Sequence, residues 1–426
     1  MGFIDDLKKG LPGVRFDLPG STQVHEEQER RAVFVDNDHR VGWHVLHAPW
    51  RLDLRPEHDK LLRQDIQRQA RFTFEEQYQQ LAAAFPDDEA RRQRPPVRTT
   101  DPSWSPLLSV ETIKIGEAPA VQIIRRVAYE PALEVVTGSL LIPLATGMIE
   151  ITCFHRTQET GRRETMLLQL AMQRYPGEDV PQLAARLGQT FFDDPSHDRD
   201  FATHPLSLVR AALKWLREAG EEVLKVTAPM APFKDEPIEL PATGCRINIP
   251  PRYLPLPRGT VPVPRTMAVM TRVMLEASES PRMLDIFRLP DVEVPASLPA
   301  AERQQQLLTL ARGNAEEWSK QGATDVELTV EERKPHGKRP TAASVIRMKI
   351  NGLPTLAVSR WLLDDDGQVF RVAAGAPTYV PVEELDAELD TVIASLQRIE
   401  MPQNQPWLTS DITLKPKRVV TAGAAT

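Results

Sequence analysis

The run VETIKIGEAPAVQIIRRVAYEPALEVVTGSLLIPLATGMIEITCF, Val110 to Phe154, decides the fold class. It falls into four strand-like pieces, Val110 to Ile115, Val121 to Val127, Val135 to Ile142 and Met148 to Phe154, punctuated by Gly116, Pro119, Pro131, Gly138, Pro143 and Gly147. Apolar and β-branched residues in short runs between turn formers predict a meandering antiparallel sheet rather than βαβ units.

Toward the N-terminus, Arg31 to Val35 and Val41 to Leu46, joined by Asp36-Asn37-Asp38, predict a hairpin. Between Pro56 and Phe85, Leu61, Leu62, Ile66, Ala70, Phe74, Tyr78 and Leu81 recur at three- and four-residue steps, which predicts one or two amphipathic helices with a break at Thr73. The charged stretch Asp87 to Pro102 reads as a loop. Toward the C-terminus, Thr157 to Glu164 reads as a solvated turn. Helices are expected over Val180 to Thr190 and from His204-Pro205, where Leu206, Val209, Leu213 and Leu216 share one face and Pro205 suits the first helical position.

Ten prolines between Pro229 and Pro264 exclude regular helix and central strand. The expected domains are therefore 1–227, a proline-rich linker 228–264, a second domain 265–401 and a tail 402–426. In the second domain, strands are expected over Met267 to Leu275, Met283 to Phe287, Asp325 to Glu331, Ser344 to Ile350, Thr355 to Leu363 and Gln368 to Ala373. Pro299 to Gln321 and Val382 to Ile399 read as helices. Placing Pro119 on Pro354 aligns Ile113 to Arg125 with Met348 to Arg360, with lysine, isoleucine, proline and arginine coinciding. A duplication and two unrelated β-hairpins both account for this echo. The predicted class is α+β, two domains, each a mostly antiparallel sheet with packed helices.

The chain has 426 residues, well beyond the ~150-residue prior for one domain. Lys and Arg number 52 against 59 Asp and Glu, a net charge of -7 that excludes a dedicated nucleic-acid binder. Cys153 and Cys245 can build neither a disulfide framework nor a four-thiolate zinc site. The N-terminus carries no signal-peptide core, and Val135 to Ile151 is too interrupted for a spanning helix, so membrane insertion is not expected and a cytoplasmic location is.

The order of hairpin, long helix, antiparallel sheet and closing helix resembles the PsbP-like α/β/α sandwich, including the DcrB-type bacterial proteins. The segments that carry the resemblance are Asn351-Gly352-Leu353-Pro354, Trp361 to Phe370 (WLLDDDGQVF) and Leu389 to Leu396 (LDTVIASL), where Leu396 replaces the family's frequent aromatic. The resemblance covers about 130 residues near the C-terminus, with a looser echo in the first half. It implies a non-catalytic binding or adaptor scaffold; some relatives serve as chaperones or adaptors for secreted effectors.

Candidate chemistry is sparse. His39, His44 and His47 form the densest histidine group, but on one strand His44 and His47 point to opposite faces and would not share a metal. Cys153, His155 and Glu164 suggest a nucleophile and base, yet a strand would hold Cys153 and His155 about 7 Å apart. The acidic loop FFDDPSHDRD, with Asp193, Asp194, Ser196, His197, Asp198 and Asp200, lacks the glycine and terminal glutamate of a calcium loop. Asp364-Asp365-Asp366 reads as a hairpin turn. No phosphate-binding, dinucleotide, zinc-hydrolase or nucleophile-elbow string occurs. No catalytic residue, metal or cofactor is assigned. The expected function is a non-catalytic, protein-binding adaptor or chaperone-like protein of bacterial type, with Trp43, Trp50 and Trp361 as candidate partner contacts and another protein as partner. The alternatives are a hydrolase assembled between the domains from the Cys153/His155 strand and the Asp193 to Asp200 loop, and a structural component of a larger assembly.

Overall fold

The computed structural model describes residues 2–11, 13–19, 22–84, 105–130, 133–155, 162–231, 233, 237–240, 243–256, 267–273, 282–336, 339–350, 352–364, 366–399 and 418–419. The chain divides into two compact units, the first running to Pro232 and the second beginning at Phe233. Each is an antiparallel sheet with helices on both faces, so the α+β class read from the sequence holds.

In the first unit the order is α1 (Phe3–Lys8), β1 (Val14–Phe16), β2 (Thr22–Gln28), β3 (Arg31–Asp36), β4 (Val41–Ala48), α2 (Asp59–Ala84), β5 (Leu107–Ile115), β6 (Ala118–Glu130), β7 (Leu133–Leu144) and β8 (Gly147–His155). Then come α3 (Arg162–Arg174), α4 (Val180–Phe192), α5 (Pro205–Glu218) and β9 (Leu224–Val226), which pairs with β1. The main sheet runs β2-β3-β4-β8-β7-β6-β5. Helix α5 packs on β7 and β8 with Leu206, Val209, Leu213 and Leu216 inward, as their spacing predicts. Helix α2 covers β5 and β6. It does not break at Thr73: Leu62, Ile66, Ala70 and Phe74 are all buried, and that continuous stripe outweighs the weak helix propensity of a β-branched residue.

The second unit comprises β10 (Ile238–Leu240), β11 (Cys245–Ile247), β12 (Leu254–Pro255), β13 (Met267–Arg272), β14 (Arg282–Glu293), α6 (Ala300–Lys320), β15 (Thr324–His336), β16 (Arg339–Ile350), β17 (Leu353–Leu363), β18 (Gln368–Pro377), α7 (Val382–Ser395), β19 (Gln397–Arg398) and β20 (Arg418–Val419). Its main sheet runs β12-β13-β14-β18-β17-β16-β15, with β20 beside β14 and a separate β10-β11-β19 ribbon. Leu356, Val358 and Leu362 of β17 face α7, whereas Ala357, Trp361 and Leu363 face α6. The proline-rich stretch expected as a linker is in its described part built into this unit: it supplies β10, β11 and β12, and Cys245, Arg252 and Tyr253 are buried there. The loop Asp87 to Pro102 and the tail beyond Ile399, except β20, lie outside the described residues.

The two sheets follow one connection rule. In each, three strands precede the long helix, four follow it as a meander, and the last of these inserts beside the third. The two units therefore share one topology, but the sequence echo aligns hairpins that hold different places in it. Lys114 pairs with Pro119 and Lys349 with Pro354 in the same register, yet β5–β6 ends its sheet while β16–β17 occupies the place of β6–β7. A two-residue turn and alternating apolar residues suffice to make such hairpins look alike.

Gly138 lies inside β7, within the expected strand Val135 to Ile142. A Cβ there would stand 2.6 Å from Leu213 Cδ1 and Val209 Cγ1, so the missing side chain lets α5 approach the sheet. Gly138→Val should therefore destabilise the protein by about 1–3 kcal/mol through overpacking. Urea unfolding reads this as a lower midpoint with an unchanged slope.

Candidate functional site

The first unit carries between β8 and α5 what the second lacks. Residues 156–204 intervene there, against residues 378–381 between β18 and α7. This insertion contains α3, α4 and a short 3-10 turn at Pro195–His197. Arg163, read within a solvated turn, is its hub and is 1% exposed. Its guanidinium donates to Phe192 O (3.1 Å), Asp194 O (2.9 Å), Asp198 Oδ1 (2.8 Å) and Ser207 Oγ (3.1 Å). Arg210 of α5 also bonds Asp198, at 3.0 Å, and Arg126 of β6 bonds Asp193 at 2.6 Å. The acidic loop is thus folded around three arginines, and Asp194 caps the 3-10 turn by accepting from Ser196 N at 2.7 Å. Removing one member of so buried a cluster strands its partner's charge, at about 3–5 kcal/mol.

The other candidates do not converge on it. Cys153 is fully buried beneath α5, with Sγ 3.9 Å from Val209 O, and burial pushes its thiol up to about 12. His155 bonds Arg40 O through Nδ1. Glu164 is half-buried on α3. Cys245 is buried as well, and burial moves its thiol to about 11. The histidine group also disperses. His39 bonds Asp36 Oδ2 at 2.8 Å and stacks on Trp215 at 4.3 Å; His44 and His47 point to opposite faces of β4. Among the described residues no group of three or more His, Cys, Asp or Glu could hold a metal ion. Asp364 makes the turn expected of it, accepting from Asp366 N and Gln368 N at 3.0 and 2.8 Å.

The tryptophans need correcting. Trp43 is fully buried, its Nε1 donating to Asp36 Oδ2 at 3.2 Å, and Trp361 is 4% exposed beneath α6, so neither offers a surface to a partner. Trp50 is half-buried. The accessible apolar side chains lie elsewhere. Among the described residues the exposed large apolar side chains are Leu11, Val24, Val35, Met166, Leu170, Met172, Val180 and Leu353. Half of them sit on α3 and the first residue of α4, where Met166, Leu170 and Met172 flank the inner stripe Arg163-Leu167-Ala171. The sequence signal for α3 was hidden because a buried arginine occupies the first position of that stripe.

No protein-family profile and no curated protein matches the chain. Solved structures similar to it include the Ran-binding protein Mog1p of Saccharomyces cerevisiae (10% identity, 39% of this chain and 96% of that one, TM-score 0.27). Others are cyanobacterial PsbP of Synechocystis (14%, 38% and 91%, 0.26) and the T6SS immunity protein TplEi of Pseudomonas aeruginosa (11%, 90% and 98%, 0.20). PsbP is thus among the likenesses, as the sequence resemblance suggested, and at these scores none bears on function. No helix among the described residues is long and apolar enough to cross a membrane.

Two predictions follow from burial. Both thiols should resist an aromatic disulfide reagent at pH 8 and react fully in guanidinium; fast reaction of the folded chain would show an accessible thiolate. Burial, with Arg31 beside His44 and Arg30 beside His47, lowers both imidazoles from 6.5 to about 4. The unfolded chain therefore takes up protons first as pH falls, so stability should drop between pH 6.5 and 4, and His44→Gln should flatten that drop in urea titrations.

Proposed function

We propose that the chain is a non-catalytic protein-binding protein, adaptor or chaperone in kind, and that it engages its partner through the α3–α4 insertion rather than through the tryptophans. The observation that carries this reading is the concentration of exposed Met166, Leu170, Met172 and Val180 on the insertion that the second unit lacks. Large apolar side chains concentrated in the open on one short segment suit a surface that meets a partner, and methionine adapts its shape to what it meets. The Arg163 cluster gives the insertion a rigid base, which lowers the ordering cost of docking. Burial of Cys153 and neutralisation of Asp193 and Asp198 by arginine count against the hydrolase reading.

The test is affinity capture of the tagged full chain from its own cells beside the double variant Met166→Glu/Leu170→Glu. Both positions are exposed, so folding stability should stay within about 0.5 kcal/mol of the parent. The parent should retain one partner at near-stoichiometric yield and the variant should lose it. Equal retention by both proteins would move the docking surface elsewhere. Recovery of the parent alone would overturn the protein-binding reading.

A further inference from the structure

In the second unit α6 packs mainly over β15, β16 and β17 and reaches β18 at Val369 and, through Asn314, at Arg371. On that side of the sheet Met283, Asp285, Phe287, Arg371 and Gly375 are half-buried. Phe287 pairs with Arg371 and Asp285 with Ala373, which makes Asp285 and Arg371 diagonal neighbours on one face. Arg371 is fixed: its guanidinium lies 5.7 Å from the ring centres of both Phe287 and Trp361, and Nη1 donates to Asn314 Oδ1 at 2.8 Å. Glu317, 4.0 Å away, is mostly in water.

Three buried polar atoms of this cluster have no hydrogen-bond partner among the described residues: Asp285 Oδ1, Arg371 Nε and Asn314 Nδ2. Leaving such atoms unpaired costs about 1–3 kcal/mol each, so a site that keeps them open invites an explanation. Beside Asp285, on the side away from Arg371, the neighbouring strand carries small residues. Ala373 stands opposite Asp285, and a Cβ added to Gly375 would meet nothing within 4 Å. In the first unit buried polar side chains of β7 and β8 satisfy one another, with Thr152 Oγ1 2.7 Å from Ser139 Oγ and 3.0 Å from Glu150 Oε1.

We propose that this partly covered sheet face of the second unit binds a small neutral polar group, a hydroxyl or a carboxamide, that gives one hydrogen bond to Asp285 Oδ1 and accepts two, from Arg371 Nε and Asn314 Nδ2. Neutrality follows from charge balance. Arg371 and Asp285 offset each other, and a charged ligand would add a desolvated charge with no counterpart. Burial raises the Asp285 carboxyl to about 6 against the pull of Arg371, as expected of a carboxylate that lacks a donor.

The seven tryptophan indoles report on the site in the ¹⁵N-labelled full chain, with the Trp361 signal assigned by Trp361→Phe. Acetamide, ethylene glycol, sodium acetate and methylammonium chloride are titrated separately. A saturable shift of the Trp361 signal with acetamide or ethylene glycol is expected, and which of the two binds tighter decides between carboxamide and hydroxyl. Gly375→Leu, which fills the open space beside Asp285, should abolish the shift, and Asp285→Ala should weaken binding at least fivefold. The other six indole signals report whether each variant folds, and either folded variant suffices. A shift that only grows linearly with probe means the site holds water alone and overturns the proposal. So does saturation by acetate or methylammonium in place of the neutral probes, or an unchanged titration in a folded variant.

Discussion

Arginine side chains removed from water and tied to carboxylates of another element are the constraint on which both units depend. In the second unit Arg272 of β13 and Arg282 of β14, 4% and 0% exposed, meet Glu388 of α7, which also accepts from Tyr253 Oη at 2.8 Å. Arg360 of β17 reaches Asp386 of the same helix at 2.8 Å. Hydrophobic contact would let α7 slide or rotate over a flat apolar face, whereas these pairs fix one position. The first unit solves the same problem with the chemistry redistributed: Arg126 comes from the sheet, Arg210 from the closing helix and Arg163 from the insertion, with aspartates of the intervening loop between them.

Pattern legible in sequence was pattern whose physics is local. The four runs of Val110 to Phe154 became β5 to β8, and the apolar period of Pro299 to Gln321 became α6, because burial of one face fixes both periods. What stayed hidden depended on distant partners. Arg163 reads as solvent-facing until Asp198 and Ser207, far along the chain, accept its hydrogen bonds. The strand Val135 to Ile142 was legible, but the reason for its glycine at 138 is not until Val209 and Leu213 show why a side chain is excluded. Trp43 and Trp361 read as contact residues because indole is amphipathic, but Asp36 and Ser344 satisfy their N–H groups inside the protein. The candidate surface on α3 was unreadable for the same reason as α3 itself.

The proline-rich stretch teaches a related point. Proline excludes central strands but not edges, and β10, β11 and β12 are short pieces at a ribbon or a sheet margin. Composition therefore reported correctly on regularity and misreported attachment: buried Tyr253 and Cys245 bind this stretch to the second unit's core.

The insertion is also a detachable part. One unit accommodates residues 156–204 where the other closes with residues 378–381, so this corner of the fold tolerates added chain without disturbing the sheet. Moved to the second unit, the segment would bring Arg163, Asp193 and Asp198 with it but leave Arg126, Ser207 and Arg210 behind. Those three residues are the socket, and a graft that supplied them would turn the corner between last strand and closing helix into a mounting point for interchangeable recognition elements.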